Sequence, residues 1–205
     1  MTRRPTRRLS RRAAPVEPPP LSSPRDLRGR KVPARYLAGL SRGLQAQRIS
    51  ELTEIRDAYA EGRPTFAELP TDRAARRAGL VKRSPYRDTA RARGFDRGGP
   101  VRTLADQVAA AGAYYLPGGL TRAEQQRVLA AVRAVYRRGL AAWQSGGHRP
   151  GASQASWGLA RVASFLVGGR TAHTADRDLF AELPAALADA IEAEAPPDLG
   201  DPPDA

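Results

Sequence analysis

Cysteine is absent from this 205-residue chain, which excludes disulfides, thiolate zinc sites and a cysteine nucleophile. Histidine occurs only as His148 and His173, so a histidine metal cage would need both, plus carboxylates from elsewhere. Lysine is nearly missing, with Lys31 and Lys82 standing among 34 basic residues. Aromatics make up 6% of the chain and much of its 41% hydrophobic content is alanine, which predicts a modest core. No apolar run approaches the roughly 18 residues of a membrane span. The basic N-terminus lacks the apolar stretch of a secretory signal. A reducing, intracellular setting without a membrane partner is the expectation. No Walker loop, dinucleotide fingerprint, serine triad or paired-carboxylate pattern is present. No catalytic residue, metal or cofactor is assigned, and an enzyme is the less favoured class.

What the chain does have is arginine, unevenly placed. Residues 1–100 hold 24 basic and 10 acidic residues, whereas residues 101–205 hold 10 and 11. A strongly basic half beside a neutral one points to a surface or tail that meets a polyanion. Arginine suits bidentate phosphate contact and stacking on bases. GC-rich coding explains the preference for arginine over lysine, but not the asymmetry.

Four segments follow from composition. Residues 1–31 read as a disordered basic arm: Arg3-Arg4, Arg7-Arg8 and Arg11-Arg12 recur every four residues before Pro18-Pro19-Pro20, with little to bury. Such an arm suits phosphates or a minor groove, and it equally suits a nuclear-import signal or a solubilising tail. Residues 32–99 form a basic helix-plus-loop module. Ser41 caps a helix running to about Ala60, with Leu44, Leu52, Ile55 and Tyr59 on one stripe at about 100° per residue. Arg48 falls inside that stripe, either snorkelling or paired with a carboxylate. From Arg63 to Gly99 the pattern breaks into short pieces. There Arg83, Arg87 and their basic neighbours interleave with Tyr86 and Phe95, as an electrostatic track or a solvated coil would.

Residues 100–182 read as a helical domain. Thr103 opens a helix expected to stop at Gly112. Thr121-Arg122-Ala123-Glu124 is a capping box opening a longer helix to about Trp143. Its apolar face carries Val128, Val132 and Val135, and its outer face carries Arg122, Arg127, Arg133, Arg137 and Arg138. These two helices can be drawn as a helix-turn-helix or as a plain packing pair, and the connection is longer than usual for the former. Ser153 caps a third helix to about Val167. Trp157 and Arg161 lie one turn apart on it, as a stacking platform or as packing. The Gly146–Gly151 turn, holding His148, Arg149 and Pro150, could cradle a phosphate with backbone N–H groups or could be a rigid helix connection. His173, Asp176 and Asp178 could be drawn as a metal site, but Thr174 capping a short helix is the simpler account. Residues 183–205 form a helix and an acidic tail with Glu192, Glu194, Asp198, Asp201 and Asp204. That tail could shield the basic arm until a stronger polyanion competes.

Two stretches carry a resemblance. The first is Val32-Pro33-Ala34-Arg35-Tyr36-Leu37 with Leu40-Ser41. The second is Tyr136-Arg137-Arg138-Gly139-Leu140-Ala141-Ala142-Trp143, then His148-Arg149-Pro150-Gly151-Ala152-Ser153-Gln154, Trp157, Ala160-Arg161-Val162, Ser164-Phe165 and Thr174-Ala175-Asp176. Over roughly half of residues 32–180, the chain resembles an uncharacterised domain family of giant and other large DNA viruses and of large tailed phages. The resemblance implies a viral protein, packaged in the particle or acting on the viral genome, with no activity to carry over. Arg63–Pro70 stands where the family has a lysine-rich stretch, and the double glycine before His148 is a second departure.

The expectation is therefore a mostly α protein: a small helical domain with a disordered Arg-rich N-terminal arm and an irregular basic middle. Its expected function is non-specific DNA or RNA binding by a viral accessory or virion-associated protein, in the virion or the host cell interior, including the nucleus. The expected contacts are Arg3, Arg4, Arg7, Arg8, Arg11, Arg12, Arg83, Arg87, Arg137, Arg138, Arg149 and Arg161. Trp143, His148, Arg149, Pro150, Gly151, Gln154 and Trp157 form a motif of unknown role. The alternatives are a virion structural protein docking on another viral protein through its helical half, and a nucleic-acid-processing enzyme using His148, Arg149 and Asp176.

Overall fold

The computed structural model describes residues 24–63, 68–80, 84–96, 103–145 and 149–197. Among them the chain is mostly helical, with one 3-10 turn (Ala34–Tyr36) and nine α-helices. Pairing of the β type is limited there to a single bridge between Arg25 and Lys31.

The helices begin where local chemistry favours them. Ser41 is extended, and its hydroxyl accepts from the Leu44 amide to open α1 (Arg42–Ala60). Thr103 and Asp106 form a reciprocal capping box before α4 (Leu104–Tyr115). Thr121 and Glu124 do the same before α5 (Arg122–Ser145). Ser153 accepts from the Ser156 amide at the head of α6 (Gln154–Leu166).

The middle of the chain is more regular than its sequence pattern suggests. Two short helices occur there, α2 (Pro70–Arg77) and α3 (Pro85–Ala92). Each has proline in its first turn, an acid close behind it and arginine in its last turn, which matches the helix dipole. Eight residues are too few for apolar periodicity to register, so the termini carry the signal. α4 also runs past Gly112, where a stop was expected. A Cβ there would meet the Leu120 side chain at 2.7 Å, so this glycine serves packing and does not end the helix.

Beyond α6 come α7 (Arg170–His173), α8 (Arg177–Phe180) and α9 (Ala185–Ala193). Thr174 does not cap the following helix. Its hydroxyl donates to the Arg170 carbonyl at 2.9 Å, and α8 opens after Asp176.

The main core draws on α3 to α9. Val128, Val132 and Val135 of α5 meet Val162, Phe165 and Leu166 of α6, with Tyr86, Phe95, Leu187 and Ile191 closing the ends. α3 and α9 thus share the core of the helical domain, although composition placed them in separate segments. A smaller cluster of Val32, Tyr36, Leu37 and Leu52 holds the N-terminal module, and Ile55, Leu69 and Trp143 join that module to α5.

The crossing of α5 and α6 is set by glycine. A Cβ on Gly139 would lie 2.7 Å from the Gly158 Cα, and one on Gly158 would lie 2.6 Å from the Tyr136 ring. Forcing extra carbon into such a contact costs about 1–3 kcal/mol, more than alanine's helix preference of about 1 kcal/mol returns. Gly139→Ala should therefore destabilise the fold despite the better helix former, seen as a lower urea midpoint with an unchanged slope. An unchanged or raised midpoint would show that the crossing relaxes freely.

Residues 24–31, assigned to the arm on composition, instead fold onto α1. The buried Asp26 carboxylate accepts from the Arg28 and Arg30 amides, from Arg30 Nε at 2.6 Å and from Arg56 Nη1 at 3.1 Å. Arg30 also reaches Asp57 at 2.8 Å. Burial pushes the Asp26 carboxyl up, but the hydrogen bonds from Arg30, Arg56 and the backbone outweigh it and hold it at about 2, against an ordinary 3.8. A depressed carboxylate contributes stability that is complete above its unfolded value and is lost as pH falls toward the folded one. Asp26→Asn should thus cost about 2 kcal/mol at pH 6, with the penalty shrinking between about pH 4 and pH 2 in paired urea titrations.

Candidate functional site

The residues singled out from the sequence fall into three groups. Arg3, Arg4, Arg7, Arg8, Arg11 and Arg12, together with Arg83 and His148, lie outside the described residues.

The second group is engaged inside the fold. Asp176 is fully buried and receives Arg161 through two hydrogen bonds, Nε to Oδ2 at 2.8 Å and Nη2 to Oδ1 at 2.9 Å. Arg138 adds a third contact to Asp176 at 3.3 Å, binds the Ala175 carbonyl at 3.0 Å, and pairs with Asp178. Burial works against the Arg138 charge, but the Asp178 carboxylate, which is the larger influence, raises its pKa well above the ordinary value. The same pairing holds Asp178 at about 2. Arg87 is likewise paired, its Nε lying 2.6 Å from Asp96. An arginine held this way must break a carboxylate pair before it can take a phosphate.

The motif of residues 143–157 builds the joint between α5 and α6. Trp143 is buried, and its indole N–H donates to the Ala152 carbonyl at 2.7 Å. Gln154 is buried and donates to the Leu140 carbonyl at 3.1 Å. Trp157 packs partly buried against Ile55, Leu69 and Trp143, so with Arg161 turned to Asp176 the pair is packing and not a stacking platform. Pro150 and Gly151 shape the turn, with Gly151 at φ 83°, a conformation that favours glycine.

The Gly151 amide, expected as part of a phosphate cradle, points instead at the buried Asp72 carboxylate, 3.0 Å away. Asp72 also pairs with the fully buried Arg48 at 2.9 Å, and Arg48 binds the Thr71 hydroxyl at 3.0 Å. Glu51 accepts from the Thr71 amide at 3.2 Å and from its hydroxyl. Arg48 is therefore a buried, carboxylate-paired arginine within an apolar stripe. Desolvation pushes the Asp72 carboxyl up, against the pull of Arg48 and the Gly151 amide. The chain supplies its own anion to this turn, with Arg149 half-buried.

The third group is open. Arg122, Arg133 and Arg137 project from α5 as exposed side chains. At 100° per residue they fall within about 60° of one another, and they span about 22 Å of helix at 1.5 Å per residue. Among the described residues no carboxylate lies within ion-pair distance of them, in contrast to Arg28, Arg30, Arg48, Arg56 and Arg93 of the first half. Sequence reasoning placed Arg137 among the contacts and saw Arg122 and Arg133 only as part of the outer face. Their distinction is the absence of acids from that face, a pattern visible once the helix bounds are known.

No group of three or more His, Asp or Glu side chains able to hold a metal occurs among the described residues. An open cleft of about 520 Å³ between α7–α8 and α9 is lined by His173, Arg177, Asp189 and Glu192 over Phe180 and Leu183, and none of the 143–157 motif reaches it. No helix of the described residues is long and apolar enough to cross a membrane.

Residues 123–180, from the first turn of α5 to the end of α8, match the model of a family of unknown function, DUF5824. No curated protein and no solved structure matches the chain. The match spans the glycine crossing, the Trp143–Gln154 joint and the Asp176 node, so over this stretch the chain is similar to the family in the part that holds α5 against α6.

Removing one partner of a buried ion pair leaves an uncompensated charge and costs about 3–5 kcal/mol. Asp176→Ala should destabilise by that order in urea unfolding, whereas Arg137→Gln should stay within about 0.5 kcal/mol. Equal effects would place the load of the fold elsewhere.

Proposed function

We propose that the protein binds nucleic acid without reading sequence, through the exposed arginine face of α5 assisted by the basic arm at residues 1–23. The observation that carries this reading is the contrast between arginines. Those of residues 24–96 are largely bound to carboxylates, whereas Arg122, Arg133 and Arg137 form an unopposed row. A row of guanidinium groups about 22 Å long matches several successive phosphates of a duplex backbone, which carries one charge per roughly 1.7 Å. Arginine's fork matches phosphate oxygens bidentately, and contacts to phosphate position a protein on the backbone without selecting a base. The exposed Gln126 lies on the same face between Arg122 and Arg137, so the non-specific reading rests on the guanidinium row and not on a lack of amides.

The resemblance of residues 136–176 to a family of large DNA viruses and phages supports a viral setting, in which the protein acts as an accessory or virion-associated factor on the genome. The enzyme alternative loses support because Asp176 is closed off by two arginines. Docking on another viral protein is the reading that remains if polyanion binding fails.

The test is a salt series of binding to labelled duplex DNA, comparing the full chain, a variant with Arg122, Arg133 and Arg137 all changed to Gln, and a chain starting at Pro24. Each lost phosphate contact lowers the log–log slope by about 0.9, so the triple variant should lose about 2–3 from its slope with its fold intact. An unchanged slope and affinity would remove α5 from the interface.

A further inference from the structure

An arginine and three aromatic rings cluster where α9 ends beside α3 and α4. The Arg93 guanidinium donates to the Tyr115 hydroxyl at 2.7 Å, and its carbon lies 5.7 Å and 5.8 Å from the centres of the Tyr114 and Tyr115 rings. Phe95 meets Tyr114 edge-on at 5.3 Å. The Tyr115 hydroxyl donates in turn to the Leu166 carbonyl at 3.0 Å, and burial pushes its pKa up to about 12, so this oxygen stays neutral and fixes the arginine. Tyr114 is different: 44% of it is exposed.

One group covers this cluster. The Glu194 backbone carbonyl accepts from Arg93 Nη2 at 2.5 Å, its carboxylate accepts from the Tyr114 hydroxyl at 2.8 Å, and the carboxylate lies 4.0 Å from Arg93. Glu194 follows the last turn of α9, whose apolar residues Leu187 and Ile191 anchor the helix in the core. Its own side chain is about half exposed, so it can leave without disturbing α9.

Resting on the polyanion reading above, we propose that Arg93 and Tyr114 form a binding site for single-stranded nucleic acid, with Glu194 occupying in cis the place of a backbone phosphate. The Glu194 carboxylate takes the Tyr114 hydroxyl at 2.8 Å and lies 4.0 Å from the Arg93 guanidinium, so an anionic oxygen already sits beside both groups. The exposed Tyr114 beside it offers a ring on which a base can stack, which every base can do regardless of identity. A duplex, with its bases already stacked on each other, gains the phosphate contact but not the ring. The site therefore favours single strands, while the α5 row serves any phosphate backbone.

The experiment measures binding of a fluorescein-labelled 20-nucleotide oligothymidylate and of a labelled duplex to the full chain, to Glu194→Gln, to Tyr114→Ala and to the Arg122/Arg133/Arg137→Gln variant. Glu194→Gln removes the competing charge and should tighten oligothymidylate binding roughly twofold to fivefold, the range of an exposed ion pair. Tyr114→Ala should weaken oligothymidylate binding by roughly fivefold or more, the loss of one stacked base, with the duplex affinity unchanged. Should Tyr114→Ala fail to fold, Glu194→Gln decides alone, because an exposed amide replaces an exposed carboxylate there. If Glu194→Gln leaves oligothymidylate binding unchanged while the triple arginine variant loses affinity, this site is overturned and the α5 reading stands. If the full chain and Glu194→Gln bind neither nucleic acid, both fall.

Discussion

The close approach of Gly139 and Gly158 is the constraint on which the rest of the helical domain depends. With no side chain between them, α5 and α6 cross backbone to backbone. That closeness lets the Trp143 indole reach the Ala152 carbonyl and the Gln154 amide reach the Leu140 carbonyl. It also brings Arg138 of α5 and Arg161 of α6 to one carboxylate, Asp176, which would otherwise be buried without compensation. Any residue at 139 larger than glycine separates these partners together, and the buried charge makes the separation costly.

The same crossing decides which arginines remain available. Once α5 is held against α6 and α4, Val128, Val132 and Val135 are committed to the core, and the row of Arg122, Arg133 and Arg137 is turned to solvent by helix geometry alone. The N-terminal module does the opposite with its charge. Arg30 and Arg56 close on Asp26, and Arg48 closes on Asp72, so the arginine surplus there becomes internal cohesion. Formal charge is thus a poor guide to where a polyanion can sit. The half with the larger surplus is also the half with more of its described arginines paired.

The capped helices were legible because Ser41, Thr103, Thr121 and Ser153 are local signals that tertiary contacts did not override. Two-turn helices at Pro70 and Pro85 were not, because eight residues hold too little periodicity and their termini carry the information. Gly112 misled for a related reason: glycine inside a helix signals either a stop or a close neighbour, and only the position of Leu120 tells which. The pairing of Arg161, Arg138 and Asp176 joins residues up to 38 apart, and no local pattern announces it. The Gly146–Gly151 turn had the look of an anion cradle. The anion that its Gly151 amide meets, Asp72, comes from 79 residues away, and nothing in the turn's own sequence points to it.

Two carboxylates of this chain, Asp72 and Glu194, lie beside arginines, and their burial sets them apart. Asp72 is fully enclosed, tied to the buried Arg48 and to a backbone amide. Removing it would strand a buried cation, so no ligand can displace it at an accessible cost. Glu194 is half exposed, its carboxylate lies 4.0 Å from Arg93, and one phenol hydrogen bond holds it. An exposed pair of that kind contributes at most about 1 kcal/mol, within reach of a phosphate that also brings a base to stack. The same chemistry therefore makes a permanent joint at Asp72 and, on the proposal above, an exchangeable contact at Glu194, and solvent access is what makes the difference.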